Sequence, residues 1–291
     1  MSDKVVRALA LGGNVRVIVA KTTDMVTRAQ EIHQTYPTSS AALGRVMSVA
    51  TIMGATLKDE REKMVVEIKS DGDIKHILVN ADNKGFVRGL IDNPNVLMIK
   101  KDSPKLDVGG AVGNGYLRVT QQYDDTATFS SQVELQTGEI GDDFAYYYVQ
   151  SEQIPTALSV GVLVNEDLTI KSAGAILIQL LPSATDVELS MVENVVNNLK
   201  PVSELMIDYE AKDLCEALFD DVEILGETDV AYFCGCNRTQ MKDVLETLNA
   251  DDLNDLINND HGATLECHYC HTKYTFKEDE LKELLEERSK N

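Results

Sequence analysis

Apolar and polar positions alternate along much of the first 182 residues, which is typical of strands with one buried face. The stretch that ends near Leu57 is instead rich in small and apolar residues at helical spacing. The predicted elements, in chain order, are a strand hairpin over 5–22, helices over 24–36 and 38–57, three strands between 63 and 91, strands over 116–122 and 127–135, a helix over 140–152, and strands over 158–164 and 168–180. Strands grouped between a few helices predict a mixed, strand-rich α+β core domain with flanking helices, over residues 1–182.

The pattern changes after Pro182. Apolar residues recur every four positions from Val187 to Leu199, which predicts an amphipathic helix. Shorter helical stripes follow, and residues 186–231 carry 13 acidic and 2 basic side chains. Helices with so much like charge are held by packing and are marginal alone. We therefore expect residues 183–231 to form a metastable helical linker whose apolar faces must be covered.

The five cysteines all lie in the last quarter of the chain, and four of them form a Cys-x-Cys and a Cys-x-x-Cys motif separated by 30 residues. The four are Cys234, Cys236, Cys267 and Cys270. Two local thiolate pairs suit one tetrahedral zinc ion with a closed coordination shell. Because sulfur fills all four positions, no site remains for a reactive water, which argues against a zinc hydrolase.

A zinc ion would also explain how residues 232–291 fold. This predicted C-terminal domain holds few large apolar side chains, and so small a body needs a further crosslink. Closing the loop between the two motifs costs about 3 kcal/mol. Structural zinc supplies about 10 to 16 kcal/mol at neutral pH, so the metal outweighs the cost.

Other uses of the cysteines remain open from the residues alone. Cys267 to His271 also matches the Cys-x-x-Cys-His motif that attaches c-type haem, and a Cys-x-x-Cys motif can serve a thiol-disulfide oxidoreductase. His268 or His271 could replace a thiolate on the metal, although solvated or hydrogen-bonded roles fit neighbours of ligands better. Cys215, on an apolar helical stripe, is predicted to be a small buried hydrophobe.

Oxidation would oppose the metal. Residues three apart in a turn lie within disulfide range, and Gly235 lets its two neighbours approach that range with some strain. Local disulfides are therefore feasible within each motif. Such bonds would remove the metal ligands and leave the long loop between the motifs open, so oxidation could unfold this domain.

Charge and patterning exclude several classes of function. The formal net charge is −21, which phosphate backbones would repel, so nucleic acid is not an expected partner. Uncharged runs are too short to cross a bilayer, and charged residues interrupt the N-terminal apolar stretch. We therefore expect no membrane association and a cytoplasmic location.

Two further constellations carry no predicted chemistry. The glycines between Gly109 and Gly115 fit neither nucleotide-binding motif and are interpreted as a tight turn. Glu31, His33 and Ser39 include the groups of a catalytic triad, but no spacing supports one. We predict no catalytic residue, and hence a protein that is not an enzyme.

The cysteine quartet, together with four segments spread along the chain, resembles the redox-regulated heat-shock chaperones of the 33 kDa chaperonin family. The segments are SSAALGRVMSVATIMGATLK, GNGYLRVT, YYVQSEQIPTALSVGVLV and AGAILIQLLP. The resemblance implies a zinc-bound, inactive reduced form. It also implies an oxidised form in which disulfides join Cys234 to Cys236 and Cys267 to Cys270.

The resemblance further implies ATP-independent holding of unfolding proteins, dimerisation in the active form and later transfer of the client to refolding chaperones. Unfolding of the zinc domain would free the linker and expose stripes such as Val192, Val196, Leu205 and Met206. The sequence does not identify the client-binding residues. The competing hypothesis is a zinc-containing thiol-disulfide oxidoreductase, which would turn over catalytically rather than bind clients stoichiometrically.

Overall fold

The structure is a computed structural model that describes residues 2–289, with side chains up to residue 286. The chain divides into two compact units, a large unit of Met1–Phe233 and a small unit of Cys234–Asn291. The strands are β1 (Lys4–Ala10), β2 (Val15–Lys21), β3 (Glu62–Ser70), β4 (His76–Ala81), β5 (Phe86–Ile91), β6 (Gly115–Tyr123), β7 (Thr126–Glu134), β8 (Thr156–Val164), β9 (Ile170–Leu180), β10 (Glu223–Asp229), β11 (Ala231–Tyr232), β12 (Gly262–Glu266) and β13 (Lys273–Lys277). The helices are α1 (Thr23–His33), α2 (Pro37–Gly54), α3 (Val108–Val112), α4 (Gly141–Tyr147), α5 (Asp186–Asn197), α6 (Val202–Asp208), α7 (Ala211–Leu218), α8 (Arg238–Glu246), α9 (Ala250–Asn258) and α10 (Glu278–Ser289), and a π-helical turn over Tyr148–Glu152 extends α4.

The large unit contains two sheets and therefore has the predicted mixed α+β fold. The first sheet has the strand order β10-β1-β2-β9-β8, and the second has the order β11-β5-β4-β3-β6-β7. The predicted hairpin is confirmed, since β1 and β2 pair from Lys4 opposite Lys21 to Ala10 opposite Val15. Gly12 and Gly13 in its turn have φ angles of 62° and 89°, a region that glycine enters without steric cost.

Helix α2 forms the centre of the large unit and packs against strands of both sheets. Every residue of this helix except Arg45 is buried, as its small and apolar composition predicts. Pro37 begins α2 rather than ending the helix before it, because proline is well tolerated in the first turn of a helix. Arg45, the half-buried exception, pairs with Glu139 at 2.8 Å.

The opposite face of the first sheet carries a second hydrophobic cluster, which the linker helices cover. Val6, Val17 and Ile178 of the sheet belong to this cluster, as do Met206 of α6 and Leu214 of α7. The apolar faces predicted for residues 183–231 are therefore buried against the core. The first linker helix is less covered than the rest, because Val187 and Met191 on the predicted stripe of α5 are exposed.

Strand β10 is the main element that the sequence analysis missed. Its sequence, EILGETD, is mostly acidic or polar and lacks the β-branched residues that predict strands. Antiparallel pairing with β1 holds it at the sheet edge, and Lys4 lies 3.2 Å from its Glu227. Charged residues are common on edge strands because they discourage pairing with other chains. The segment 183–231 therefore contains helices followed by one strand.

Two smaller differences also arise from local structure. Gly109 and Gly110 lie in the short helix α3, whose first turn is capped by Asp107, rather than in a tight turn. Strand β13 was not predicted, although it pairs with β12 throughout its length. The division into 1–182, 183–231 and 232–291 stays a prediction. Within residues 2–289, every helix is too short or too polar to cross a bilayer.

Asp3 connects three parts of the large unit. Its carboxylate accepts a hydrogen bond from the Met25 amide at 2.7 Å, and its carbonyl accepts one from Val230 at 2.9 Å, directly after β10. Burial raises the pKa of Asp3 to about 7, an effect larger than the lowering by the amides of Met25 and Asp24. The folded protein therefore binds a proton here that the unfolded chain releases near pH 4.

We predict that Asp3 makes the protein less stable as pH rises from 5 to 8. A folded-state pKa above the unfolded value gives stability at low pH that is lost as pH rises through 7, and the loss amounts to about 3 kcal/mol. Urea unfolding at both pH values should show this loss in the wild type and not in Asp3→Asn. Asp24→Asn, an exposed carboxylate in the first turn of α1, should keep it. Equal losses in Asp3→Asn and wild type would contradict the assignment.

Candidate metal centre

Two loops of the small unit bring the four predicted ligands together. Cys234 and Cys236 lie between β11 and α8, and Cys267 and Cys270 lie in the turn that joins β12 to β13. The hairpin register runs from Gly262 opposite Lys277 to Glu266 opposite Lys273, so the turn begins directly at the third cysteine. Strand pairing therefore places the second motif, while the start of α8 places the first.

The sulfur atoms are arranged as a metal centre requires. All four Sγ atoms lie within 4.8 Å of one another. The Sγ atoms of Cys234 and Cys267 are 3.7 Å apart, and those of Cys236 and Cys270 are 3.4 Å apart. A tetrahedral metal with bonds of about 2.3 Å to sulfur separates its ligands by about 3.8 Å. These distances are compatible with zinc and far exceed a disulfide bond of about 2.05 Å.

The turn around Cys267 is shaped by its own backbone. The amides of Tyr269 and Cys270 point to the sulfur of Cys267 and lower its pKa, although burial raises that pKa more. The Cys267 amide donates to the carbonyl of Thr272 at 3.0 Å, and its carbonyl accepts from the amide of His271 at 2.8 Å. These bonds hold the sulfur in place through main-chain contacts that do not depend on neighbouring side chains.

Tyr274 holds the first motif, and the sequence analysis did not identify it. Its hydroxyl donates to the carbonyl of Cys236 at 3.0 Å and lies 3.3 Å from the sulfur of the same residue. Alternation along β13 places Tyr274 on the same side of the strand as Phe276, which is buried. An alternating pattern directly after a Cys-x-x-Cys motif is the signal that could have found this contact.

The electrostatics of the cluster favour a bound cation. Burial raises the pKa of Cys236 to about 12, and burial also raises the pKa of Cys267. Burial acts in the same direction on Cys270, but hydrogen bonds from Thr272 and the neighbouring thiols lower its pKa to about 7. Four thiolates so close together repel one another, so a divalent metal is needed to hold all of them ionised.

The other candidates take the roles that the sequence favoured. His271 turns away from the thiols, with Nδ1 at 2.6 Å from Glu266, and His268 is exposed. Cys215 is fully buried in the cluster beneath the linker helices, where burial raises the pKa of its thiol to about 12. An un-ionised, buried thiol is a poor nucleophile, so Cys215 acts as an apolar side chain.

The apolar core of the small unit is minor. Its buried residues are Leu245, Ile257, Phe276, Leu281 and Leu284. Arg238, at the start of α8, lies 4.3 Å from the ring centre of Phe276 and forms two bonds to Glu280 at 2.7 and 2.9 Å. So few buried side chains give little hydrophobic stabilisation, which makes the unit dependent on the crosslink among its cysteines.

Comparison with known proteins gives a consistent result across the chain. The family model described as Hsp33 protein matches residues 3–277. The 33 kDa chaperonin of Acetivibrio thermocellus is 40% identical over 288 residues, covering 98% of this chain and 97% of the relative. The 33 kDa chaperonin of Geobacillus kaustophilus is 41% identical over 288 residues, covering 98% of each.

A solved structure agrees with these sequence matches. The crystal structure of the 33 kDa chaperonin from Thermotoga maritima superimposes with a TM-score of 0.90 at 31% sequence identity and covers 100% of both chains. The resemblance that the sequence motifs indicated is therefore confirmed, and so is the mixed α+β fold.

We predict that the reduced protein binds one divalent metal ion per chain and that removal of the ion unfolds the small unit. A chelator should release the metal and abolish the protection of amide protons in β12 and β13, while β8 and β9 stay protected. Cys270→Ser should lower the bound metal well below one ion per chain. Cys215→Ala, outside the cluster, is the matched control and should keep full occupancy. Unchanged protection after complete metal removal would refute the prediction.

Proposed function

The chain belongs to the Hsp33 protein family, and on this premise we propose that it is a redox-regulated, ATP-independent chaperone that holds unfolding proteins. The observation that carries the proposal is the cluster of four unbonded cysteine sulfurs in a unit with only a minor apolar core. Such a unit can be stable while reduced and lose its fold when oxidised. The chaperone is not an enzyme.

Four thiolates of this geometry fit one zinc ion in the reduced form, held by Cys234, Cys236, Cys267 and Cys270. Zinc, when bound, supplies a crosslink of about 10 to 16 kcal/mol between two loops that are far apart in sequence. Tyr274 and the amides of the second motif orient the sulfurs before the ion binds. In this form the chaperone is inactive.

Oxidation converts the four sulfurs into two disulfides, Cys234–Cys236 and Cys267–Cys270. For each bond, two thiols give two electrons and two protons to one molecule of hydrogen peroxide, which becomes two molecules of water. The sulfurs all lie within 4.8 Å of one another, so neither bond requires a large movement. A sulfur in a disulfide is no longer a thiolate ligand, and the crosslink between the loops is lost.

The surface available to clients is the apolar face beneath the linker helices, together with the faces of those helices. Val192, Leu205 and Met206 of the predicted stripes are buried in this cluster, and Val196 is half-buried against it. Release of the linker would expose a contiguous apolar surface, which is the kind of surface that binds other proteins. The net charge of −21 keeps such a state dispersed.

The connection between the small unit and the linker is short. Strand β11 has two residues, Ala231 and Tyr232, and pairs with β5 immediately before Cys234. Two paired residues give little stabilisation, so β11 can separate from β5 when the chain after it unfolds. Strand β10 and the linker helices follow in reverse chain order.

Further elements of the proposal concern its partners and location. The active form is a homodimer in the cytoplasm, and it passes its clients to downstream refolding chaperones. Neither nucleic acid nor a membrane takes part. A holdase of this kind consumes no nucleotide, because exposed apolar area supplies the binding free energy.

The test is client aggregation at increasing ratios of this protein. The oxidised protein should suppress light scattering by a denatured client near stoichiometric amounts, and the reduced protein should not. Zinc release and thiol loss, followed in parallel, should precede suppression. Catalytic turnover of disulfides at sub-stoichiometric amounts would instead support an oxidoreductase, and equal suppression by both forms would rule out redox control.

A second prediction concerns how the linker docks. Gly161 of β8 lies under α6, where a Cβ atom would be 2.9 Å from the Ser203 amide nitrogen and 3.1 Å from its Cβ. The three nearest atoms to that position all belong to Ser203, so a methyl group there disturbs the linker and not the core sheet. The absence of a side chain at Gly161 is therefore required for close packing of α6.

We predict that Gly161→Ala destabilises the docked linker by about 1 to 3 kcal/mol, because overpacking forces α6 outward. Hydrogen exchange should become faster in α5, α6 and α7 while β9 stays protected, and the oxidised protein should become active at a lower temperature. Gly141→Ala, whose Cβ would meet only Val160 at 3.4 Å, is the matched control. Unchanged exchange in α6 would show that the linker is not held by this contact.

A further inference from the structure

A cationic cleft lies in the large unit, away from the cysteine cluster. It has a volume of about 610 Å³, and Arg7, Arg16 and Lys58 line it. Its other lining residues are apolar or neutral, and no aspartate or glutamate is among them. Three positive charges around one cleft are unexpected in a chain with a net charge of −21. The cleft therefore concentrates positive charge against the overall balance of the molecule.

Three separate elements supply the positive charges. In the β1–β2 pair, Arg7 is opposite Ile18 and Leu9 is opposite Arg16, so both arginines share the face that carries buried Ile18. Lys58 comes from the segment that follows α2. The guanidinium of Arg7 lies beside β10, since a Cβ on Gly226 would be 3.3 Å from its Nη2. Tertiary packing therefore assembles the cluster.

None of the three cations pairs with a carboxylate in the part of the chain that the structure describes. Arg16 donates to the neutral Gln179 at 3.2 Å. Nearby acidic residues are engaged elsewhere, since Glu60 pairs with Lys84 at 2.7 Å and Glu62 accepts from the amide of Lys58 at 2.8 Å. The positive charges are therefore not neutralised by the protein itself.

The end of α2 does not account for these charges. A helix C-terminus carries about half a negative charge, whereas the cleft carries three positive ones. The carbonyls of Thr51, Met53 and Gly54 already accept bonds from the amides of Ala55, Thr56 and Leu57. The helix end leaves most of the positive charge without a counterion.

The remaining lining suits a ligand with a neutral part beside its charge. Leu225 of β10 is 53% exposed and lines the cleft with Leu57. The buried Oδ1 of Asn83 has no hydrogen-bond partner among the described residues and could accept a bond from a ligand hydroxyl. The cleft is within the size range of small-molecule sites.

We propose that this cleft binds a small phosphate-bearing molecule. Phosphate offers several charged oxygen atoms to the paired donors of two guanidinium groups and to the ammonium of Lys58. Because Leu225 belongs to β10, a ligand in the cleft contacts the last strand of the linker segment as well as β1 and β2. Binding to this folded arrangement stabilises the docked position of β10.

Titration calorimetry and thermal unfolding of the reduced full-length protein at about 0.15 M salt, near physiological ionic strength, test the proposal. The probes are pyrophosphate, adenosine monophosphate and adenosine. We expect saturable binding of one phosphate compound per chain and a higher unfolding temperature. Arg7→Gln and Lys58→Gln should each weaken binding roughly tenfold. Lys171→Gln changes the net charge equally at an exposed position on β9 and should leave the affinity unchanged.

The outcomes separate the sources of phosphate. Tighter binding of pyrophosphate supports an inorganic phosphate ligand, and tighter binding of adenosine monophosphate supports a phosphate ester. Equal binding of adenosine, equal weakening by Lys171→Gln, or no binding of either phosphate compound would overturn the proposal. These measurements do not use chaperone activity, so they stand apart from the test of the proposed function.

Discussion

The fold of the small unit depends on four sulfur atoms that lie within 4.8 Å of one another without being bonded. Nothing else in this unit is comparably strong, since its core contains five buried apolar residues and one arginine–glutamate contact across Phe276. Thiolates at this distance require a positive ion, and that requirement makes the unit sensitive to oxidation. A conventional hydrophobic core would have given stability without this sensitivity.

The large unit contains two hydrophobic clusters with different consequences. The inner cluster surrounds α2 and is formed by neighbouring strands and helices of the core. The outer cluster exists only because α5, α6 and α7 cover the other face of the first sheet. These helices are short, acidic and in part exposed, so their stability comes from the surface that they cover. The same contacts therefore stabilise the linker and conceal the apolar face.

Much of the candidate site could be predicted from local sequence. The spacing of Cys234, Cys236, Cys267 and Cys270 indicated a closed four-sulfur centre, and the structure brings these four residues together. Tyr274 was missed because its contact with Cys236 crosses 38 positions in the chain. Strand β10 was missed because an acidic edge strand has no local signal and forms only against β1.

The sequence by itself determined the elements whose cause is local, namely the glycine turn of the first hairpin, the buried helix α2 and the two cysteine motifs. Only the tertiary structure decided which surfaces face each other. It placed α6 over Gly161, removed Val187 and Met191 from the buried stripe and gathered Arg7, Arg16 and Lys58 around one cleft. The physical reason is that periodicity reports which side of an element is apolar, whereas contacts between distant segments depend on shape and charge at both partners.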